Sequence, residues 1–185
     1  MSGFHTPQLA ACLARHQSAI PGLAEIGARL SEPNPLDGLI DLYERCYPLL
    51  EQAMWSREAD FHPLLADYQA LFREQEALIR QRGGDDRHRF ILAIPIADRP
   101  PHLRACLESV YQLCALFDYG GQTDGRWNKV QVVVAEDSRD ENNIRQHIAL
   151  VEEYREKGLQ VFHFGLDEQY ELLHSLPAEK REKLG

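Results

Sequence analysis

The stretch Phe90-Ile91-Leu92-Ala93-Ile94-Pro95 is an apolar run closed by proline, and two similar runs follow at residues 130–135 and 159–164. Each has the length of a strand, and a continuous apolar run is typical of a strand buried in a parallel sheet. Apolar residues recur at helical spacing between the runs, at about 101–117 and 141–157. This alternation predicts an α/β domain in which helical crossovers join parallel strands.

The chain before this domain has a different pattern. Residues 1–86 are predicted to form an α-helical N-terminal region of three amphipathic helices, and residues 87–185 the α/β domain. Thr6 is expected to cap the first helix with its hydroxyl, and Asp60 to cap the third. Pro48 is expected to end or kink the second helix. The helical region should pack against the α/β half or form a homo-oligomer with another copy, since short helices bury little area alone.

Composition limits the classes of function. A net charge of −9 argues against a nucleic-acid partner, which requires a basic face. Hydrophobic content of 44% is sufficient for a buried core. No apolar run approaches the ~20 residues that span a bilayer, and the N-terminus does not have the pattern of a signal peptide. We therefore expect no membrane segment in this chain and a cytoplasmic location.

The cysteines and histidines indicate no metal or catalytic centre. The chain has 4 Cys, with no CxxC pair and no His/Cys cluster at zinc spacing. Cys106 and Cys114 lie in an apolar helical pattern and are expected to be buried free thiols. His147 and His163 are interpreted as packing or solvent-facing residues. Nicotinamide, P-loop and hydrolase motifs are absent from the sequence.

Polar residues follow the apolar runs where a parallel sheet binds its ligands, at the carboxyl ends of the strands. These segments are residues 95–99, 136–140 and 165–167. A carboxylate there accepts hydrogen bonds from a base or ribose, and an arginine there meets a phosphate. Asp140 has a simpler role as the cap of the following helix.

Residues 90–100, with Leu103 and the Cys-Leu-Glu-Ser-Val run at 106–110, resemble the opening of family 2 glycosyltransferases of the GT-A fold. In that family an apolar strand leads through Pro and Asn-Arg into a leucine-rich helix. Residues 132–138, Val-Val-Val-Ala-Glu-Asp-Ser, resemble the family's second strand, which ends in Asp-Asp and a small residue. The resemblance covers the second half of the chain and none of the helical half.

This resemblance implies an incomplete GT-A, Rossmann-like parallel sheet that binds a nucleotide-diphosphate sugar. Asp137 would contact the base or ribose, with Glu136 beside it, and the loop from Pro95 to Arg99 would wrap the nucleotide. The matched nucleotide-binding positions are Pro95, Ile96, Asp98, Arg99, Glu136, Asp137 and Ser138.

The chain departs from the family pattern at several positions. Ala97 replaces an aromatic residue, Asp98 replaces Asn, and Glu136 replaces the first Asp of the pair. The family's metal-binding Asp-x-Asp is absent, because no aspartate follows Asp167. We therefore expect the N-terminal part of a glycosyltransferase, with a divalent cation (Mn²⁺ or Mg²⁺) only in the complete enzyme and with no catalytic residue identified in this chain. The alternative is a non-catalytic scaffold or protein-interaction module with a degenerate GT-A-like domain.

Overall fold

The computed structural model describes residues 4–56 and 60–181, which separate into two compact units. The first unit comprises the described residues up to Arg87 together with residues 116–121. The second comprises residues 88–115 and the described residues from Gln122 onward.

Four helices form the first unit: α1 (Pro7–His16), α2 (Leu23–Leu30), α3 (Leu36–Ser56) and α4 (Phe61–Arg82). The sequence predicted three, and α2 is the one it missed. With 8 residues, α2 is too short for its apolar pattern to repeat clearly. The helices bury one apolar core to which all four contribute, including Leu9, Leu23, Tyr43, Leu50, Leu64 and Leu71.

The first turn of α1 is stabilised by a side chain from another helix. The helix begins at Pro7 as predicted, but Thr6 makes no side-chain capping bond. The Gln8 and Leu9 N–H groups instead donate to the carboxylate of Glu74 on α4, each at 2.9 Å. The predicted hydroxyl cap is therefore wrong, because a carboxylate from another helix takes up the free N–H groups of the first turn. Asp60 does cap α4, by accepting from the His62 N–H at 3.3 Å.

Pro48 does not end α3, which continues to Ser56. A proline inside a helix costs about 3 kcal/mol, because one hydrogen bond is lost and the ring crowds the preceding turn. Buried residues on both sides of it, Cys46 and Leu50, belong to the same core. Burial of this helix face offsets the cost and keeps the chain helical.

The second unit is built on a parallel sheet. Its elements in chain order are β1 (Phe90–Ile96), α5 (Pro100–Phe117), β2 (Gln122–Thr123), β3 (Arg126–Trp127), β4 (Val130–Glu136), α6 (Glu141–Glu156), β5 (Gln160–Phe164), α7 (Leu166–Ser175) and α8 (Ala178–Arg181). Strands β1, β4 and β5 pair in parallel in that order. The predicted α/β class, the helical N-terminal region and the parallel strands are confirmed.

Part of the segment 119–125 forms a hairpin with the residues that follow it. Strands β2 and β3 pair antiparallel around Asp124-Gly125, which have φ of 51° and 73°. Two consecutive residues with positive φ are the signature of the tight turn that joins such strands. Asp-Gly is a favoured sequence for that turn, so the sequence did carry the signal.

Both long helices of this unit pack on one face of the sheet. Leu103 and Leu107 of α5 and Val151 of α6 share a core with Val132 and Val161 of the strands. Since the chain crosses twice in the same direction along the sheet, right-handed crossovers place both helices on the same side. Ile91 and Phe162, which point to the other face, are 69% and 48% exposed.

The cysteines are free thiols, and Cys12, Cys46 and Cys114 are buried. Cys106 is exposed, contrary to expectation. The buried face of α5 carries Leu103, Leu107 and Cys114, and Cys106 lies outside that stripe. Among the helices of the described residues, none is long and apolar enough to cross a membrane.

Candidate functional site

The loops that follow β1 and β4 are joined by two hydrogen bonds at the carboxyl edge of the sheet. The Asp137 N–H donates to the Ile96 carbonyl at 2.8 Å, and the Asp98 N–H donates to Ser138 Oγ at 2.7 Å. Asp98 has a φ of 47°, a left-handed conformation that Asp tolerates better than most residues. The structure thus brings together two of the three strand ends that the sequence selected.

The side chain of Asp98 strengthens this junction. Its carboxylate accepts from the Asp140 N–H at 3.2 Å, the Asn143 amide at 3.3 Å and the Arg139 N–H at 3.5 Å. These hydrogen bonds, first the one from Asp140 and then the one from Asn143, lower the pKa of Asp98. Asp98 was predicted to contact a nucleotide. Here its carboxylate holds the loop after β4 against the loop after β1.

Glu136, the last residue of β4, is a buried carboxylate with three donors. It is 1% exposed, and its Oε1 accepts from the Ser138 N–H at 2.9 Å. Its Oε2 lies 2.8 Å from His147 Nδ1 and 3.2 Å from His163 Nε2. Burial, the largest effect, would raise the pKa of Glu136, but the hydrogen bonds from Ser138, His147 and His163 together outweigh it and lower the pKa to about 2. Glu136 is therefore ionised at neutral pH, and His147 Nδ1 and His163 Nε2 each donate a hydrogen bond to it.

His147 is the side chain of this cluster that lies deepest. It is fully buried on α6, and its Nδ1–H is directed at Glu136. Its Nε2 has no hydrogen-bond partner among the described residues. A buried nitrogen without a hydrogen-bond partner is uncommon and lowers stability. The hydrogen bond from Nδ1 to Glu136 is therefore the one that fixes the orientation of the ring.

Helix α7 is attached to the same edge through Gln169. The Gln169 amide donates to the Glu136 carbonyl at 2.8 Å and to the Phe164 carbonyl at 3.0 Å. These carbonyls belong to the last residues of β4 and β5, so the Gln169 side chain connects α7 to the ends of both strands. Neither Gln169 nor the two histidines was predicted as part of the site. Their contacts with Glu136 join residues 11 to 33 positions apart, for which the sequence carries no local signal.

The loops after β1 and β4 carry five exposed charged side chains: Asp98, Arg99, Asp137, Arg139 and Asp140. Within the described residues, Asp137, Arg99 and Arg139 make no side-chain hydrogen bond or ion pair, whereas Asp98 and Asp140 accept from protein N–H groups. Asp137 follows β4 directly, and Arg99 ends the loop after β1, on the two loops that the hydrogen bonds join. An exposed carboxylate beside arginines can accept from hydroxyl or base N–H groups while the guanidinium groups meet phosphate oxygens.

The N-termini of α5 and α6, which follow the two joined loops, have few free N–H groups for a phosphate. At α6, the Asp140 carboxylate already accepts from the Asn142 and Asn143 N–H groups. At α5, the first two residues are Pro100 and Pro101, which have no N–H. A phosphate bound here would therefore depend on arginines or on a cation more than on a helix terminus.

No protein-family model matches the chain, and no curated protein or solved structure matches it either.

Proposed function

We propose that the second unit is the nucleotide-binding half of a glycosyltransferase of the GT-A type and that it binds a nucleotide-diphosphate sugar at the carboxyl edge of its sheet. The observation that carries the proposal is the exposed carboxylate of Asp137 at the end of the central strand, on a loop hydrogen-bonded to the loop of Arg99. In parallel sheets this is the edge at which ligands bind.

The proposal gives the seven predicted residues different roles. Asp137 accepts from the base or ribose, and Arg99 meets the diphosphate, with Arg139 added beside it. Pro95 and Ile96 line the nucleotide with backbone. Asp98, Glu136 and Ser138 hold the two loops in position, since their polar atoms already bind protein groups. A divalent cation, Mn²⁺ or Mg²⁺, would neutralise part of the diphosphate charge.

The test is titration of the purified chain with UDP, GDP and TDP in the presence of Mn²⁺, followed by amide chemical shifts. Shifts are expected at residues 95–99 and 136–140. Asp137→Ala should weaken binding by about 1–3 kcal/mol, roughly 5- to 150-fold, which is the cost of leaving a ligand donor without its charged acceptor. Glu141→Ala is the matched control, because this carboxylate lies four residues away and its side chain is 88% exposed.

Two outcomes would contradict the proposal. The first is no binding of any of the three nucleotides, and the second is a set of shifts confined to the first unit. Equal losses in Asp137→Ala and Glu141→Ala would leave nucleotide binding in place but remove Asp137 from the site.

A second candidate is the non-catalytic scaffold with a degenerate GT-A-like domain. The observation that favours it is that Glu136, at the position of the first family aspartate, is buried against two histidines. A scaffold needs this edge only for stability. The nucleotide titration separates the two candidates, because a scaffold gives no shifts at residues 95–99.

A further inference from the structure

The first unit brings together three side chains of the types that bind transition metals. Cys12 and His16 lie one turn apart on α1, so both face the same side of the helix. Asp67 faces them from α4. One ligand atom from each residue, the Cys12 sulfur, a His16 ring nitrogen and an Asp67 oxygen, lies within 4.8 Å of the other two.

We propose that Cys12, His16 and Asp67 form a zinc-binding site in the first unit. Thiolate, imidazole and carboxylate are the side-chain ligands that Zn²⁺ uses in proteins. Three protein ligands leave one tetrahedral position for water. This site lies in the first unit, whereas the edge of β1 and β4 lies in the second. Zinc binding is therefore tested independently of nucleotide binding.

Small side-chain movements would complete the geometry. His16 Nε2 and Asp67 Oδ2 are 2.6 Å apart, joined by a hydrogen bond. Around a tetrahedral zinc with bonds of about 2.0–2.3 Å, neighbouring ligand atoms lie about 3.3–3.6 Å apart. The His16–Asp67 pair must therefore open by about 1 Å, and a pair at the 4.8 Å limit must close by about 1.2–1.5 Å. The side chains of His16 and Asp67 are 17% and 12% exposed, which gives the ion a way in.

Arg15 supplies the outer-shell contact that a ligating carboxylate normally has. Its Nε donates to Asp67 Oδ2 at 3.1 Å, and its terminal nitrogen contacts Oδ1.

The Cys12 thiol makes no hydrogen bond within the described part of the chain, so its sulfur is available. Burial, and then the charge of Asp67, raises its pKa to about 11. Zinc binding forms an S–Zn bond and an N–Zn bond. The S–H bond of Cys12 breaks and its proton passes to the buffer, and the proton that His16 Nε2 donates to Asp67 moves to Nδ1 or to the buffer. Sulfur and nitrogen ligands favour Zn²⁺ over Mn²⁺, which prefers oxygen.

A different role for the cluster is a plain ion-pair network in which Arg15 and His16 neutralise Asp67. That network does not need a thiol. Cys12 therefore distinguishes the two roles, and Cys46 offers a matched control. Cys46 is also a fully buried free thiol in the core of this unit, but it is not a member of the three-residue group.

The experiment titrates the tag-free, metal-stripped chain with Zn²⁺ in competition with a chromophoric chelator, and with Co²⁺ as a spectroscopic probe. We expect one Zn²⁺ per chain and a thiolate-to-cobalt charge-transfer band. Cys12→Ser and His16→Gln should each weaken Zn²⁺ binding by more than about 100-fold, the upper end of what loss of an outer-shell partner costs. Cys46→Ser should keep both affinity and band, and Mn²⁺ should not displace Zn²⁺.

The proposal is overturned if no stoichiometric Zn²⁺ binds, if Cys12→Ser leaves the affinity unchanged, or if the cobalt complex has no thiolate band. Circular dichroism of each metal-free variant checks that it is folded. Should Cys12→Ser unfold, His16→Gln carries the test, because His16 is partly exposed and its replacement keeps a hydrogen-bond donor.

Discussion

Glu136→Gln tests the buried cluster of Glu136, His147, His163 and Ser138 most directly. In the folded chain the pKa of Glu136 falls from its ordinary 4.5 to about 2. At about 1.4 kcal/mol for each tenfold change in proton affinity, the ionised carboxylate contributes about 3 kcal/mol to stability at neutral pH. The lowered pKa fixes the sign of the pH dependence. The contribution is complete above pH 4.5 and is lost as the pH falls toward 2.

The glutamine variant should lose most of this stabilisation. If its carbonyl oxygen accepts from the Ser138 N–H, its NH₂ group faces the two histidines, which are donors in the native cluster. His147 must then move its proton to Nε2, which has no partner among the described residues. A buried N–H without an acceptor costs about 1–3 kcal/mol. We expect Glu136→Gln to lower the free energy of unfolding of the second unit by about 2–3 kcal/mol at pH 7.

Urea unfolding followed by tryptophan fluorescence provides the assay. Trp127 lies in the second unit and is 5% exposed, whereas Trp55 in the first unit is 78% exposed. A Trp55→Phe background therefore makes the signal report on the second unit alone. The control is Glu141→Gln, whose side chain is 88% exposed and which should change stability by less than about 0.5 kcal/mol.

The pH dependence of the stability difference tests whether Glu136 is ionised in the folded protein. The wild-type protein and the Glu136→Gln variant share every other carboxylate, so subtracting their stabilities isolates Glu136. Their difference should shrink by about 2–3 kcal/mol between pH 5 and pH 2. A difference under about 0.5 kcal/mol at pH 7, or one that stays constant down to pH 2, would refute the ionised cluster.

Two further substitutions, each with a control substitution, test other parts of the fold. Glu74→Gln should destabilise the first unit by about 1–2 kcal/mol in urea unfolding, because Glu74 accepts from two N–H groups of α1 and from the Tyr43 hydroxyl. The control is Thr6→Ala, which removes no capping bond and should change the stability of the first unit by less than about 0.5 kcal/mol. Gly158→Ala should cost the second unit at least about 2 kcal/mol in thermal or urea unfolding, since Gly158 has a φ of 102° and a Cβ would lie 2.5 Å from the Gly125 carbonyl oxygen. Gly84→Ala, where a Cβ meets nothing within 4 Å, should cost about 1 kcal/mol, and equal losses at the two positions would contradict the steric part of the argument.

The elements that the sequence predicted correctly are those whose signals are local. The apolar runs of β1, β4 and β5 and the helical spacing of α5 and α6 each lie within one segment. The caps at Asp60 and Asp140 depend on N–H groups only two or three residues away. At Thr6 the same rule failed, because the acceptor for α1 comes from Glu74, more than sixty residues along the chain.

The candidate site was predictable to a similar extent. The rule that ligands bind at the carboxyl ends of parallel strands selected the loops that the structure joins through Asp98 and Ser138. It could not indicate that Glu136 faces His147 and His163, because side-chain direction at a strand end depends on which face the helices cover. The spacing of Cys12 and His16 was visible as a helical i, i+4 pair. Their proximity to Asp67 depends on how α1 packs against α4, which periodicity does not determine.

The internal bonds of Glu136 and Asp98 change what the edge offers a ligand. Both carboxylates stay ionised, but their oxygens already accept from histidines and backbone N–H groups, so they offer a ligand few free acceptors. Asp137 is exposed and makes no side-chain hydrogen bond within the described residues, and the arginines on both loops offset part of the negative charge that a diphosphate meets. The loop that carries it is hydrogen-bonded at Ile96 and Ser138, so little conformational entropy is lost when a ligand binds. Such an edge suits a ligand with a hydroxyl or N–H donor at one end and phosphate at the other, as a nucleotide has.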